Sequence, residues 1–383
     1  MRIFIQNSAS PNTWGERDAW LCDVAIALQQ RGHEIFCGGK PNSRFLQECQ
    51  RLGFRIYPLE TKSDISMVSI SRFRQLFKRL GIEGVLANLG KDVRLAGAGA
   101  RLAGQAVVLA RHTVPMIKNN WRYQLTYKNL VDGILTPSPT IATMYRQYSW
   151  LEGIPIFVVP EGVQDLKLNG ESRQYNRQAI LEKYGIKSEY PIITMYGELL
   201  KYKQQDIFID VAREVLQDWP EAAFLILGDG PQREPLQRYA FELNILDNFY
   251  FISDYDTPEE LFAASDVFVF TSRMEGISAG FLKAMALGKP VITFESGDVS
   301  HLITDNENGI LVPLNDIYQM SQRLKSLLQD SSRLQQLGRR AQETVQNRYD
   351  FQTSVAEIEK IFLELYMRKA GGEYGTQNPR FSG

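Results

Sequence analysis

Three stretches of the chain combine residue types and spacings suited to an anion or a hydroxylated ligand. Ser8-Ala9-Ser10-Pro11-Asn12-Thr13-Trp14-Gly15-Glu16 is a polar loop that leaves an apolar run and reaches a helix start near Gly15. Free N–H groups and the positive helix end make such a loop an anion site, and a glycine lets a phosphate approach the backbone; a plain βα turn would need no ligand. Leu227-Gly228-Asp229-Gly230-Pro231 closes a strand and opens a helix, with Pro231 suited to the first helical turn, and a tight corner is sufficient to explain it. The most informative stretch runs from Thr271 to Ile292: a strand end, a small-residue loop bearing the carboxylate Glu275, a helix ending at Gly288, and another strand. At a helix N-terminus Glu275 can accept hydrogen bonds from sugar hydroxyls or cap the helix's own N–H groups.

These loops need strands and helices to hold them. Short apolar runs alternate with longer amphipathic stretches, the pattern of βαβ units and parallel sheets. Strands are expected at Arg2–Gln6, Glu34–Cys37, Phe54–Tyr57, Gly84–Ala87, Val107–Ala110, Ile134–Thr136 and Ile156–Val159, with a helix over Glu16–Arg31. After Pro160-Glu161-Gly162-Val163 the pattern restarts, with strands at Ile192–Tyr196, Ala223–Leu227, Phe249–Ile252, Val267–Phe270, Pro290–Phe294 and Gly309–Val312. Helices are expected at Gln204–Leu216, Pro231–Leu243 and Gly280–Leu287, and Ile317 to Arg368 reads as continuously helical. The domains implied are 1–163 and 164–349, then a helix over 350–368 packing back across a cleft, and a disordered tail over 369–383.

The 383 residues are 44% hydrophobic and 23% charged, which excludes disordered and fibrous classes. No apolar run approaches the roughly 18 residues needed to cross a bilayer, and the start turns polar too early for a signal peptide, so a cytoplasmic protein is expected. Cys22, Cys37 and Cys49 lack CxxC spacing and read as buried small apolar residues. Residues 1–163 hold 20 basic and 12 acidic side chains, a net +8, whereas the remainder holds 23 and 32, a net −9. An anionic surface or substrate would be met by the first half.

Taken in order, Gly197-x5-Lys203, Gly228-Asp229-Gly230-Pro231, Ser272-x2-Glu275-Gly276, Ala284-Met285-Ala286-x-Gly288-x-Pro290-Val291-Ile292 and Asn308-Gly309-x-Leu311-Val312 resemble the retaining nucleotide-sugar glycosyltransferases of family 4. Gly15-Glu16, Arg31-Gly32-His33-Glu34-Ile35, Arg111-His112-Thr113, Thr136-Pro137-Ser138 and Val158-Val159-Pro160-Glu161-Gly162-Val163 resemble that family's acceptor domain and interdomain segment more loosely. The resemblance implies a GT-B architecture: two Rossmann-like doubly wound parallel-sheet α/β domains facing a cleft, acceptor on the first and nucleotide on the second. It places Gly15 near the donor diphosphate, His112 and Glu275 against the donor sugar, Lys203 on the phosphates, and Gly276, Ile277 and Ser278 beside Glu275 in the donor loop. Catalysis would rest on His112 and Glu275, with no metal and no cofactor beyond the donor, for which a uridine diphosphate sugar is the family's common choice. Asp254-Tyr255-Asp256 spells a metal-binding pattern of a different glycosyltransferase architecture, and reads here as turn and capping chemistry.

Two positions depart from the pattern. Glu198 stands where the family has a phosphate-clamping arginine, and Lys283 where it has the second of two glutamates eight residues apart, the one on the ribose. A carboxylate about 4 Å from a diphosphate charge costs on the order of 1–4 kcal/mol, and an ammonium accepts no hydrogen bond from ribose. A Glu198–Lys283 pair would compensate the reversal, and activity with altered donor recognition is expected; the alternative is a catalytically degenerate, glycosyltransferase-like binding subunit.

The acceptor expected is a saccharide or lipid-linked molecule in cell-envelope or exopolysaccharide synthesis. Ile70, Phe73, Phe77 and Leu80 share a helical face bordered by Arg72, Arg74, Lys78 and Arg79, a pattern able to rest on an anionic membrane at the inner face of the plasma membrane. Lys118, Trp121, Arg122, Tyr123, Tyr127 and Lys128 form a similar mixture. No nucleic-acid-binding signature accompanies these basic residues, so nucleic acid is not an expected partner.

Overall fold

The structure, a computed structural model, describes residues 1–9, 14–60, 66–104, 106–164, 170–253, 258–272 and 277–371, with backbone alone for 170–176 and 258. The first set of elements is β1 (Arg2–Asn7), α1 (Glu16–Gln30), β2 (Glu34–Gly39), α2 (Arg44–Arg51), β3 (Arg55–Pro58), α3 (Met67–Leu80), β4 (Gly84–Ala87), α4 (Gly90–Ala103), β5 (Val107–Arg111), α5 (Trp121–Leu130), β6 (Gly133–Thr136), α6 (Pro139–Arg146) and β7 (Ile156–Val158). The second is α7 (Gly170–Tyr184), β8 (Ile192–Tyr196), α8 (Gln205–Val215), β9 (Ala223–Leu227), α9 (Arg233–Glu242), β10 (Phe249–Ile252), α10 (Pro258–Ala264), β11 (Val267–Phe270), α11 (Ala279–Ala286), β12 (Val291–Phe294), α12 (Val299–Leu302), β13 (Ile310–Val312), α13 (Ile317–Gln329), α14 (Ser331–Arg348) and α15 (Phe351–Lys369). Every expected strand is present within two residues at either end.

The chain divides into two units, Met1–Pro160 with Gln352–Gly383, and Glu161–Phe351. In the first, seven parallel strands run in the order β3-β2-β1-β4-β5-β6-β7; in the second, six run β10-β9-β8-β11-β12-β13. The central strands are apolar without alternation, as in Ile3-Phe4-Ile5, each 0% exposed, because helices cover both faces of the sheet. The strand order reverses between β1 and β4 and between β8 and β11. Open α/β sheets bind ligands outside the carboxyl ends of their strands at such switch points, which directs attention to the residues just after β1, β4, β5, β8, β9 and β11.

Two expectations are corrected. The stretch Ile317–Arg368 is not continuously helical: besides the start of α15 at Phe351, beside the expected 350–368 helix, it breaks where the Asp330 carboxylate accepts from Arg333 N–H to start α14. The apolar face of α3 is not available to a membrane: Phe73 and Phe77 are buried, with the Phe4 ring centroid 5.0 Å from that of Phe77, and Ile70 and Leu80 pack half-buried against the same cluster.

α15 belongs to the first unit. Its Glu359 bridges Arg31 (2.6 Å) and His33 (2.7 Å), and Lys369 donates to the Ala106 carbonyl (2.7 Å) and reaches Asp132 (3.1 Å). Phe362 and Leu365 lie against Gly84 and Gly133, the first residues of β4 and β6, so α15 seals the amino ends of the strands. The carboxyl ends are left to the loops that carry the candidate chemistry. Cys22, Cys37 and Cys49 are buried free thiols.

Candidate functional site

In the second unit the site grows from a backbone corner. Gly197 follows β8 and Gly228 follows β9, with φ of 141° and 146°, values that favour glycine. The two loops are hydrogen-bonded, Gly197 N–H to Leu227 C=O and Leu199 N–H to Asp229 C=O, both at 2.9 Å. A Cβ on Gly228 would collide with the Gly197 carbonyl, and one on Gly230 would lie 2.6 Å from the Leu199 carbonyl. The Gly-Asp-Gly motif is therefore accounted for by close backbone approach alone.

What the corner positions is Lys203. It ends the 3₁₀ turn Lys201–Lys203, and its Nζ lies 3.7 Å from where a Gly197 Cβ would stand, so the glycine makes room for the ammonium. Thr271, just after β11, donates its hydroxyl to the carbonyls of Gln204 (2.7 Å) and Lys203 (3.2 Å), and Gln205 Nε2 donates to the Glu198 carbonyl (2.9 Å). The lysine's backbone is thus held from two strands. Two buried polar atoms at this corner, Gln204 Oε1 and Ser272 Oγ, have no hydrogen-bond partner among the described residues. Such orphans are costly unless a ligand or water completes them. The Glu198 side chain is exposed, free to turn its charge to solvent.

Glu275 and Gly276 lie outside the described residues, as does Asp254-Tyr255-Asp256. Ile277 is buried in the core, and Ser278 caps α11 by accepting from Phe281 N–H at 3.3 Å. Lys283 does not pair with Glu198. Its Nζ donates to Glu259 Oε1 at 2.8 Å, both side chains about a quarter to a third exposed, which joins the first turn of α10 to α11. The sequence reading missed Glu259 because its partner is 24 residues away in the chain. The only local signal was a charge in the first turn of a helix, where dipole and capping already explain it.

The first unit carries a buried polar chain across the carboxyl ends of β1, β4 and β5. Gly15 N–H donates to Asp18 Oδ2 (3.0 Å), Asn7 Nδ2 to Asp18 Oδ1 (2.6 Å), Asn88 Nδ2 to Asn7 Oδ1 (3.2 Å), and Arg111 Nη1 to Asn88 Oδ1 (2.9 Å). The Arg111 guanidinium sits 4.0 Å from the Trp20 ring, a cation–π contact in a buried setting. The N–H of Gly15 is thus already taken by a carboxylate, and Gly15 serves as the N-cap residue of α1.

Beside this chain, Asp92 accepts from Ser8 N–H (3.2 Å), Leu89 N–H (3.2 Å) and Gln6 Nε2 (3.3 Å), tying the β1–α1 loop to the start of α4. Burial pushes its carboxyl up from 3.8 to about 6 against these hydrogen bonds. The folded protein therefore binds a proton there that the unfolded chain has released, and this part of the stability is lost as pH rises from about 4 to about 6. Denaturant unfolding of the wild type and Asp92→Asn is expected to show the wild type losing about 3 kcal/mol relative to the variant across that window. A constant gap would contradict the assignment.

His112 follows β5 and is 1% exposed. Tyr145 Oη accepts from Met116 N–H (2.9 Å) and Ile117 N–H (3.3 Å), so its proton goes to His112 Nδ1 at 3.2 Å. Nε2 then carries the ring proton and donates to Tyr127 Oη at 2.9 Å. Burial and the adjacent Arg111 bring the imidazole down to about 3, so it is neutral at physiological pH and is not a base. With both nitrogens engaged the ring is closed to a sugar in this conformation, and it fixes the loop after β5 through Tyr145. His112→Phe would leave two buried hydroxyls short of a partner, with an expected loss of roughly 2–4 kcal/mol in chemical denaturation. A change within about 0.5 kcal/mol, the usual range for surface positions, would show that the ring does not hold the loop.

Fold and site together define a protein of the GT-B class, two Rossmann-like parallel-sheet units with polar loops at their strand ends. A model of the glycosyl transferases group 1 matches residues 176–344, and one of glycosyltransferase family 4 matches residues 20–165. The chain belongs to glycosyltransferase family 4. It is 27% identical over 193 residues to N-acetyl-alpha-D-glucosaminyl L-malate synthase of Bacillus anthracis, covering 50% of each chain. It is 25% identical over 224 residues to UDP-Gal:alpha-D-GlcNAc-diphosphoundecaprenol alpha-1,3-galactosyltransferase of Escherichia coli, covering 57% of each. The chain therefore spans about half the length of these relatives. Among solved structures, Anabaena HepE in complex with UDP-glucose superposes with a TM-score of 0.81 at 16% identity, covering 95% of this chain and 100% of that one.

Proposed function

We propose that the protein is a retaining glycosyltransferase that moves a hexose-type sugar from a nucleotide diphosphate to a saccharide or lipid-linked acceptor. The observation that carries this reading is the corner after β8: a lysine whose backbone is held from two strands and whose ammonium lies over a glycine, beside two buried polar atoms with no partner among the described residues. A cation on a rigid backbone suits a diphosphate, and orphaned polar atoms suit a hydroxylated ligand. The relatives' printed names support the substrate classes, since one acts on a diphosphoundecaprenol-linked sugar with a UDP sugar, and the Anabaena structure holds UDP-glucose. We place the enzyme at the cytoplasmic face of a membrane, and take a uridine diphosphate sugar as its donor.

In this reading Lys203 and the N-terminus of α11 stabilise the departing diphosphate, which is electrostatic stabilisation of developing charge without a metal. Glu275 and Ser278 orient the donor. The acceptor hydroxyl attacks on the face from which the diphosphate leaves; the sugar–phosphate bond breaks as the new glycosidic bond forms, and the proton passes to the leaving phosphate. Asn7, Asn88, Arg111 and His112 hold the loops of the acceptor unit in register. Transfer from a UDP sugar to an extracted lipid-linked acceptor, with the product anomer read by NMR, tests the reading. An α product from an α donor is expected, and an inverted product would overturn it.

The Glu259–Lys283 pair gives the donor loop its own consequence. Restoring the family residue by Lys283→Glu would set two carboxylates against each other across α10 and α11. Donor affinity is expected to fall roughly 5- to 10-fold, at about 1 kcal/mol for a like-charge contact near a surface, and to recover in Lys283→Glu with Glu259→Lys. Isothermal titration with UDP reads both, and a gain in affinity from the single change would show that Lys283 merely occupies a ribose site.

A further inference from the structure

α5 has one face turned outward that its own domain does not use. Trp121 and Leu125, one helical turn apart, are 68% and 60% exposed, and Lys128 continues the same stripe one turn on. Arg122 lies beside Trp121, its guanidinium 5.5 Å from the ring, and Lys118 is exposed just before the helix. None of Lys118, Arg122 and Lys128 meets a carboxylate among the described residues, and no acidic residue occurs between Val107 and Val131. The opposite face is anchored: Tyr127 is fully buried on His112, and the Asn120 side chain caps the helix by accepting from Arg122 and Tyr123 N–H. The patch is thus a rigid display of an indole, an isobutyl group and three cations that meet no carboxylate among the described residues.

We infer that this face of α5 docks the protein on an anionic lipid bilayer, the indole and Leu125 entering the headgroup boundary and the three cations meeting lipid phosphates. The charge complementarity is one-sided, and the composition fits lipid better than protein: lysine is depleted at the centres of protein interfaces, whereas tryptophan ringed by lysine and arginine is the usual membrane-interface anchor. The role that the sequence suggested for α3 moves to α5 because the α3 apolar face is spent on the core. The inference deepens the proposed function, since a lipid-linked acceptor requires the enzyme at the bilayer surface.

The test is co-sedimentation of the full chain with vesicles of phosphatidylcholine alone and with phosphatidylglycerol in equal part. The wild type is expected to bind the phosphatidylglycerol vesicles and not the neutral ones. Each surface cation contributes roughly fivefold to such partitioning, so Lys118→Glu with Arg122→Glu and Lys128→Glu should lower it at least roughly 100-fold. Trp121→Gln with Leu125→Gln should lower it roughly tenfold or more by removing apolar burial. All five side chains are exposed, so thermal midpoints should stay put. Absence of binding by the wild type, equal binding to neutral vesicles, or unchanged binding of either variant would each overturn the inference. Nucleotide-induced thermal stabilisation, measured on the same proteins, separates the two readings: its loss with vesicle binding intact removes the transferase reading and leaves the docking face.

Discussion

Replacing Lys203 by alanine is expected to lower sugar transfer roughly 100- to 1,000-fold, the usual cost of removing one preorganised group that meets transition-state charge. The fold should survive, because the side chain is only partly buried and what fixes the corner is backbone: Gly197 and Leu199 bonded to the loop after β9, and Thr271 on the carbonyls of Lys203 and Gln204. Lys203→Arg should retain part of the activity, as the charge stays while the space over Gly197 tightens. Steady-state transfer kinetics beside a thermal melt decide the matter. Unchanged kinetics in the alanine variant would mean that the diphosphate is held elsewhere.

The second large effect is expected at Glu275. In the sequence it stands three residues after Ser272, whose buried hydroxyl has no partner among the described residues. Glu275→Ala should abolish measurable turnover, at least roughly 100-fold, with the thermal midpoint of the apo protein unchanged. This variant also separates the enzyme from a degenerate binding subunit. In a binding subunit the change would leave partner binding and biological activity intact, and an active Glu275→Ala protein would remove the carboxylate from the mechanism.

The strands were legible because parallel sheets covered on both faces demand short continuous apolar runs, and each such run found its place in one of two sheets. Less of the helical and polar structure could be read from local pattern. α3 looks like a membrane helix because amphipathicity records that one face is buried and says nothing of what buries it; Phe4 and Phe77 supply the answer. The break at Asp330 lies within one uninterrupted helical periodicity and emerges only from capping.

The candidate site shows the same limit. Gly228 and Gly230 were recognisable as a corner, and the corner's purpose, making a seat for Lys203, depends on Thr271 some 68 residues away. His112 was singled out by its neighbours Arg111 and Thr113, whereas its actual partners, Tyr127 and Tyr145, are 15 and 33 residues distant. The reversed charges at Glu198 and Lys283 suggested a pair with each other. The fold instead gives Lys283 to Glu259 and leaves the Glu198 side chain exposed.

The central claim, that this chain binds a nucleotide diphosphate sugar, is tested most directly by thermal shift of the purified protein against UDP, GDP, ADP and CMP and their common sugars. Ligand at 100 times its dissociation constant stabilises a protein by roughly 2.7 kcal/mol, enough for a clear rise in midpoint. Selective stabilisation by one nucleotide diphosphate and its sugars, lost in Lys203→Ala, is the predicted result. No stabilisation by any nucleotide at millimolar concentration would contradict the account.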